Sequence, residues 1–261
     1  MAGYRSIRFE RERGVALITL NNPERRNALT EEMKEEILSA LQGVEGEAEL
    51  RALVLTGAGT AFCAGGDIRR IGQRLTPEEI RETMQRSQRL LRKLFYLEKP
   101  IVAAVNGDAV GIGCNLALAV DFVLASEKAR FAEIFVKIGL VPDFGGLYLL
   151  PRLVGLAKSK ELTYLGEMLS AQEAKEMGLI YKVVPHEELR SEALEFAQRL
   201  AAMPTLAIGR AKRVLNRAFD LTLEEVLERE IELQTFLHQT EDHREGIQAF
   251  LEKRKPRFQG R

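Results

Sequence analysis

Apolar positions along this chain follow two alternating rhythms in its first half and mainly one in its second. GVALITLNNP, RALVLTGAG and PIVAAVNG are short apolar runs, rich in β-branched side chains and closed by Gly, Asn or Pro, and each predicts a buried strand. Between them the apolar residues recur at helical spacing. LTEEMKEEILSALQGV predicts a helix with Thr30 as N-cap and an acidic first turn; TPEEIRETMQRSQRLLRKLFYLEK predicts another, capped by Thr76 with Pro77 in its first turn. GCNLALAV is apolar on every side and flanked by glycine, which suits a short helix packed inside the protein, and DFVLASE then reads as a strand. These strand and helix pairs recur at about 45 residues, the rhythm of stacked ββα units, and predict an α/β core built as a repeated superhelix.

From Ser170 onward the pattern turns mostly helical. SAQEAKEMG predicts a capped helix ending at Gly178, YKVVP a short strand, and residues 187–202 an amphipathic helix. Met203-Pro204 interrupts it, after which TLAIGRAKRVLNRAF, LTLEEVLEREIELQTFLHQ and EDHREGIQAFLEKRKP predict three more helices with separate apolar faces. The expected division is a core over residues 1–202 that carries the site and a helical region over 203–261. Such a region either closes as a lid or packs on a partner subunit.

Composition and charge narrow the classes. With 261 residues, 46% of them hydrophobic, the chain can bury a sizeable core. Lys plus Arg equals Asp plus Glu at 38 each, so no long-range field draws nucleic acid or an anionic membrane, and an anionic ligand must be held locally. The opening MAGYRSIRFERERG is charged where a leader needs an apolar run, and no stretch approaches the roughly 20 apolar residues of a span; a cytoplasmic protein is expected. Cys63 and Cys114 sit among Gly and Ala and read as small buried residues rather than a disulfide or metal pair. His186, His238 and His243 lack metal spacing and read as solvated surface residues, so no metal site is expected.

Two glycine-rich loops, each following a strand, carry the candidate chemistry. They are Ala61-Phe62-Cys63-Ala64-Gly65-Gly66-Asp67 and Asn106-Gly107-Asp108-Ala109-Val110-Gly111-Ile112-Gly113-Cys114-Asn115. Glycine lets a ligand approach the main chain, and N–H groups at a loop-to-helix junction favour negative charge, so the two loops together can form an oxyanion hole. Neither is a P-loop or a dinucleotide fingerprint.

The strings AFCAGGDI, KPIVAAVNGDAVGIGCNLALAVDFVLASEKARF, KIGLVPDFGG, LSAQEAKEMGLIYKVV and EGIQAFLEKRKPRF resemble, in order and spacing, the enoyl-CoA hydratase/isomerase (crotonase) superfamily over nearly the whole chain. The resemblance implies a crotonase-like spiral of ββα repeats, a C-terminal helical region used in trimer or dimer-of-trimers assembly, and an acyl-CoA substrate. Its coenzyme A is part of the substrate, and no further cofactor is implied. By position, the thioester oxygen would accept hydrogen bonds from the N–H groups of Gly66 and Ile112. Ala64 would lie near the adenine, Arg26 and Ala28 along the CoA, and Phe250 and Lys253 on a late helix reaching a neighbouring subunit's CoA. Gly65, Asp67, Ile68, Asn115 and Phe135 complete the implied binding set, Asp67 as a brace for its loop and the segment from Ile68 to Thr76 as pocket wall.

The resemblance to hydratases breaks at their two glutamates, whose positions hold Asn115 and Phe135. An amide does not exchange a proton usefully at neutral pH, and a phenyl ring has none to give. Asp143, in GLVPDFGG, matches an aspartate found in several isomerases of the superfamily and can move a proton alone, with helix capping as its plainer alternative duty. GIGCNLALAVDF, KIGLVPDFGGLYLLPRLVGLAKSKEL and EDHREGIQAFLEKRKPRFQGR are similar to the ring-1,2-epoxyphenylacetyl-CoA isomerase branch. The expected activity is an acyl-CoA isomerase that shifts a double bond or rearranges an epoxide. The alternatives are a broad or weak enoyl-CoA hydratase and a non-catalytic acyl-CoA- or RNA-binding relative, the latter disfavoured by the balanced charge. Glu133 is a reserve acid; Asp108 is expected in a turn, and Asp121 in a cap or ion pair.

Overall fold

The computed structural model describes residues 3–261. Ten strands and ten helices are defined among them, besides short 3-10 turns. The strands are β1 (Ile7–Glu12), β2 (Val15–Leu20), β3 (Ala52–Gly57), β4 (Ala61–Cys63), β5 (Ile101–Val105), β6 (Asp108–Val110), β7 (Phe122–Ser126), β8 (Arg130–Ala132), β9 (Leu169–Ser170) and β10 (Lys182–Val184). The helices are α1 (Glu31–Gly46), α2 (Ile68–Ile71), α3 (Pro77–Tyr96), α4 (Ile112–Leu118), α5 (Gly146–Leu165), α6 (Ala171–Glu176), α7 (Leu189–Ala201), α8 (Thr205–Leu215), α9 (Leu223–Leu237) and α10 (Glu241–Leu251).

Consecutive strand pairs split between two sheets. A six-stranded sheet runs β1-β2-β3-β5-β7-β10 and a four-stranded one β4-β6-β8-β9. Thus β3, β5 and β7 enter the large sheet side by side and parallel, while their successors β4, β6 and β8 line up in the small one. Each repeat is therefore stacked on the one before in an α/β spiral, but the rhythm is not the regular 45 residues expected: β3, β5 and β7 begin at Ala52, Ile101 and Phe122. Glycine permits the tight stacking. A Cβ at Gly107, between β5 and β6, would lie 2.0 Å from the Thr60 carbonyl oxygen of the preceding repeat, and one at Gly57 would lie 2.4 Å from that of Ala61.

The strands read as unbroken apolar runs because the large sheet is covered on both faces. Leu53, Leu55, Ile18, Leu20, Ala103 and Val105 pack with α1 and α3 on one side. Val15, Leu17, Val54, Val102 and Leu124 pack under α7 on the other, where Leu189, Ala193 and Ala197 close the layer. Each fully buried Leu or Val contributes about 1.5–3 kcal/mol, so this double layer is the main source of stability. The predicted caps form. Thr30 Oγ1 accepts from Met33 N–H, and Thr76 and Ser170 each complete a capping box with a glutamate three residues on.

Three readings change in three dimensions, and a fourth holds. Asp108 belongs to strand β6, not a turn. His186 is half-buried with Nδ1 2.9 Å from Ser126 Oγ, and His238 and His243 lie 4.4 Å apart between ring centroids, tilted at 52°, so these rings are partnered rather than simply solvated. The helix α5, with Pro151 inside it and a kink at Gly155, was not expected from the pattern. Asp121 does pair: it accepts from Ile101 N–H at 2.8 Å and from the buried Lys212 ammonium at 2.8 Å. That ion pair ties α8 to the residue before β7, while the Asn216 side chain, donating to the Phe95 carbonyl at 2.7 Å, and Gly209, where a Cβ would meet the Glu98 carbonyl oxygen at 2.2 Å, set α8 against the end of α3. By contrast α9 buries no residue and α10 buries only Asp242 and Ala249. No helix among the described residues is long and apolar enough to cross a membrane.

Candidate active site

The site is built where the two glycine-rich loops lie against each other. A Cβ at Gly113 would sit 2.2 Å from the Cys63 carbonyl oxygen, and one at Gly65, whose φ is +110°, would sit 3.1 Å from that of Val110. Only glycine at these positions lets the end of β4 and the start of α4 touch. Gly66 directly follows Gly65 and Ile112 directly precedes Gly113, so each is next in sequence to one of these close contacts. Ile112 is the first residue of α4, where N–H groups have no intrahelical acceptor, and the preceding Gly111 donates instead to the Ala132 carbonyl at 2.8 Å.

A second pair of contacts ties in residues 26–29. Ala64 N–H donates to the Arg26 carbonyl at 2.9 Å, and Leu29 N–H donates to the Gly65 carbonyl at 2.8 Å, forming an isolated parallel bridge opposite Gly66. Arg26 and Asn27 both hold left-handed backbone, with φ of 50° and 55°. Asn27 stabilises that turn from inside: fully buried, it accepts from Asn22 N–H at 2.9 Å and donates to the carbonyls of Ala58 and Ala61, each at 2.8 Å. The exposed Arg26 guanidinium pairs with Asp108, which also takes two hydrogen bonds from Arg130, each at 2.8 Å. These cations hold the Asp108 carboxyl below its ordinary range, the Arg130 hydrogen bonds contributing most. Arg26, Ala28, Ala64, Gly65 and Gly66 thus share one rim. Asp67 caps the four-residue α2 by accepting from Arg69 N–H at 3.1 Å and lies 3.7 Å from Arg25; Ile68 beside it is exposed.

Behind the loops lies a buried polar cluster. Asn115, on α4 and fully buried, spends both amide hydrogens: Nδ2 donates to the Asp143 main-chain carbonyl at 2.9 Å and to Glu133 Oε2 at 3.3 Å. Gly146 makes room for this amide, since a Cβ there would lie 2.5 Å from Asn115 Nδ2. The turn that presents Asp143 has consecutive left-handed residues, Phe144 (φ 46°) and Gly145 (φ 81°), and Phe144 is buried. For a bulky non-glycine residue this conformation costs about 1–3 kcal/mol, strain that the surrounding packing must hold. Asp143 does not cap α5. Gly145 occupies the N-cap with no side-chain bond, and Asp143 Oδ1 is buried without a hydrogen-bond partner. Desolvation pushes the Asp143 carboxyl up to about 6, with the buried Lys34 ammonium pulling the other way. Glu133, 2% exposed, is pushed to about 8 by burial, with Asp143's charge adding to the rise and hydrogen bonds from Cys114 and Asn115 opposing it. Phe135 is buried, its ring against Gly111.

Comparison with known proteins meets this geometry. The sequence model of the enoyl-CoA hydratase/isomerase family matches residues 10–261. The chain is a member of that family. It is 42% identical to the 1,2-epoxyphenylacetyl-CoA isomerase of Escherichia coli strain K12, over 96% of this chain and 97% of that one. It is also 37% identical to the crotonyl-CoA hydratase of Syntrophomonas wolfei, over 98% of each. Among solved structures, a putative enoyl-CoA hydratase from Streptomyces coelicolor A3(2) superposes with a TM-score of 0.95 at 36% identity, covering 100% of this chain and 96% of that one. General acyl-CoA hydratase/isomerase chemistry of the crotonase type follows from membership, and relatives of both kinds stand at similar distance.

Within the family frame, two residues from the sequence reading stay apart from the rest: Phe250, 81% exposed, lies in the last turn of α10, whereas Lys253 is not on the helix as expected but just beyond its C-cap Glu252, in left-handed backbone (φ 54°), and no described contact joins them to the loops of their own chain. Two clefts also lie elsewhere, one of about 840 Å³ along α10 and the C-terminal segment and one of about 470 Å³ between α8 and α5. Three contributors were missed or underweighted by sequence reasoning. Asn27 offered no signal beyond a turn-forming residue. Lys34 did: it sits three and seven residues before Ile37 and Leu41, on the apolar face of α1, and is buried there with Nζ 2.7 Å from Glu31 Oε1 and 2.9 Å from Ser87 Oγ. Glu133, a reserve acid by sequence, is the more buried of the two carboxyls. Among the described residues no group of three or more His, Cys, Asp or Glu is placed to hold a metal ion.

Proposed function

We propose that this enzyme is an acyl-CoA isomerase in which Asp143 is the single acid/base and the N–H groups of Gly66 and Ile112 hold the thioester oxygen. The observation that carries the reading is Asp143 itself: a carboxyl with a buried, unpartnered oxygen, relieved of any capping duty and raised to about 6 by desolvation. Such a group is ionised at neutral pH yet basic enough to take a proton. From a β,γ-unsaturated thioester, Asp143 removes the α-proton. The bonding electrons move onto the thioester oxygen, forming a dienolate. Asp143 then returns the proton to the γ-carbon as the carbonyl re-forms, so the double bond ends conjugated and no atom is gained or lost. Two preorganised donors at the oxyanion are worth about 3 kcal/mol each. The same frame suits rearrangement of an epoxide on the acyl group, the chemistry named for the Escherichia coli relative.

The rim formed by Arg26, Ala28, Ala64 and Gly65 is the proposed CoA contact, with Asp67 bracing it and Ile68, Asn115 and Phe135 toward the acyl group. Residues 203–261 are the proposed assembly region of a homotrimer or dimer of trimers, in which Phe250 and Lys253 reach a neighbour's CoA.

The test compares isomerisation of a trans-3-enoyl-CoA with hydration of a trans-2-enoyl-CoA, each in wild type and Asp143→Asn. Isomerisation faster than hydration, with a loss of about 10²–10⁴ in kcat on substitution, is the expected result. Dominant hydration, or activity that survives Asp143→Asn, favours the hydratase reading instead.

A further inference from the structure

Three buried oxygens without a hydrogen-bond partner, Asn115 Oδ1, Glu133 Oε1 and Asp143 Oδ1, belong to one cluster held by a single amide. Orphaned buried polar atoms are costly, and these three lie on residues joined through the Asn115 amide. Asp143 is accounted for by the proposed chemistry, but Glu133 is not. It lies at the end of β8, beyond Ala132, and replaces neither hydratase glutamate by position. A buried carboxylate needs a cation or several donors. Glu133 has the thiol of Cys114 and one amide hydrogen of Asn115, both neutral, with the Asp143 carboxyl close enough to oppose its charge. Lys34 is the cation that acts on Asp143, and it is itself paired with Glu31, which Arg86 also approaches at 3.7 Å. The site can therefore carry one negative charge comfortably, and Lys34 gives that charge to Asp143.

We propose that Glu133 is a positioning residue that works with its proton on: as a neutral carboxyl it anchors the Asn115 amide, whose other hydrogen holds the main chain of Asp143, and it leaves the negative charge to Asp143 alone. The neutral form accepts the amide hydrogen through Oε2 without adding a charge beside the base or the enolate. Ionisation of Glu133 would place a second buried anion there, raising the basicity of Asp143 while repelling the oxyanion. The inference rests on the reading of Asp143 as the acid/base.

It predicts a bell-shaped profile for isomerisation of the trans-3-enoyl-CoA. Activity rises as Asp143 ionises through about pH 6 and falls as Glu133 ionises through about pH 8. Glu133→Gln keeps the acceptor for the Asn115 amide and removes the titration. The low-pH limb should persist and the high-pH limb should vanish, so that at about pH 9, where the wild type is down about tenfold, the variant stays within about twofold of its own optimum. Glu133→Leu, which keeps the bulk but not the acceptor, should lower kcat while leaving KM nearly unchanged. A wild type with no high-pH limb, or a Glu133→Gln profile that superimposes on it, overturns the proposal. So does a Glu133→Leu variant as active as Glu133→Gln. Infrared difference spectra of the wild type guard against a misfolded variant: a protonated-carboxyl C=O band present at pH 7 and lost at alkaline pH is expected, and its absence at pH 7 also overturns the proposal. Asp143→Asn, measured alongside, separates the two ideas. If that variant stays active the acid/base reading fails, whereas if it is inactive and Glu133→Gln is unchanged only the role of Glu133 fails.

Discussion

At the scale of single residues, the groups that matter most in the proposed reaction are main-chain atoms, and main-chain atoms are untouched by most substitutions. Ile112 offers a way to remove one. As the first residue of α4 it occupies a position where proline is compatible with the helix, because its N–H has no intrahelical acceptor. The residue before it is Gly111, which tolerates the restriction that proline imposes on its predecessor. Ile112→Pro should therefore keep the fold, checked by circular dichroism, while lowering kcat for isomerisation by about 10²–10³, the usual effect of losing one oxyanion donor. Retained activity would show that the Ile112 N–H does not hold the oxyanion. Gly66 is the less convenient probe, since it sits in the isolated bridge to Leu29 and its replacement disturbs that contact as well.

Whole elements decide whether these residues meet. The α4 helix is buried along its length, and its first turn is pressed against β4 through Gly113. Gly113→Ala pushes a methyl group to 2.2 Å from a main-chain oxygen that cannot rotate away, so the two glycine-rich loops must separate. The expected cost is about 1–3 kcal/mol in urea unfolding, accompanied by a loss of kcat larger than instability alone explains. Gly43, with open space around its Cβ position, is the control: Gly43→Ala, inside α1, should be neutral or slightly stabilising. Elements also mark where the sequence could be read. Strands β2, β3 and β5 and helices α1, α3 and α4 were legible because burial on both faces and helical spacing each leave a local pattern. The two-residue β9 and the kinked α5 were not, since the first exists only through its partner β8, and the second carries Pro151 and Gly155 where a helix pattern would be expected to stop.

For the molecule as a whole, the C-terminal helices pose the question of assembly. On α9, Leu223, Leu227 and Ile231 recur every four residues as one exposed apolar stripe, and α10 adds Ile247, Phe250 and Leu251. A stripe of this kind, on a helix that buries nothing in its own chain, is the surface that the proposed assembly would cover. Under the proposed assembly, Leu227→Lys combined with Ile231→Lys should turn a trimer or hexamer into a monomer in size-exclusion chromatography with light scattering. If Phe250 and Lys253 serve a neighbour's CoA, KM for the acyl-CoA should rise in the same variant. An unchanged mass would remove α9 from the interface.

The alternation of strand and helix, the two glycine-rich loops, the family resemblance, and the carboxyl at Asp143 with an amide at Asn115 are all legible in the chain before it folds. These are local facts, carried by spacing, by capping residues and by the conformational freedom of glycine. That Asp143 is not a helix cap, that Lys34 lies inside the protein and acts on it, and that Glu133 shares the Asn115 amide with the Asp143 main chain emerge on folding. The physical reason is that hydrogen-bond partnership and desolvation depend on which distant segments converge. A single amide joins residues 18 and 28 positions away from it, and nothing in their immediate neighbourhoods records that they meet.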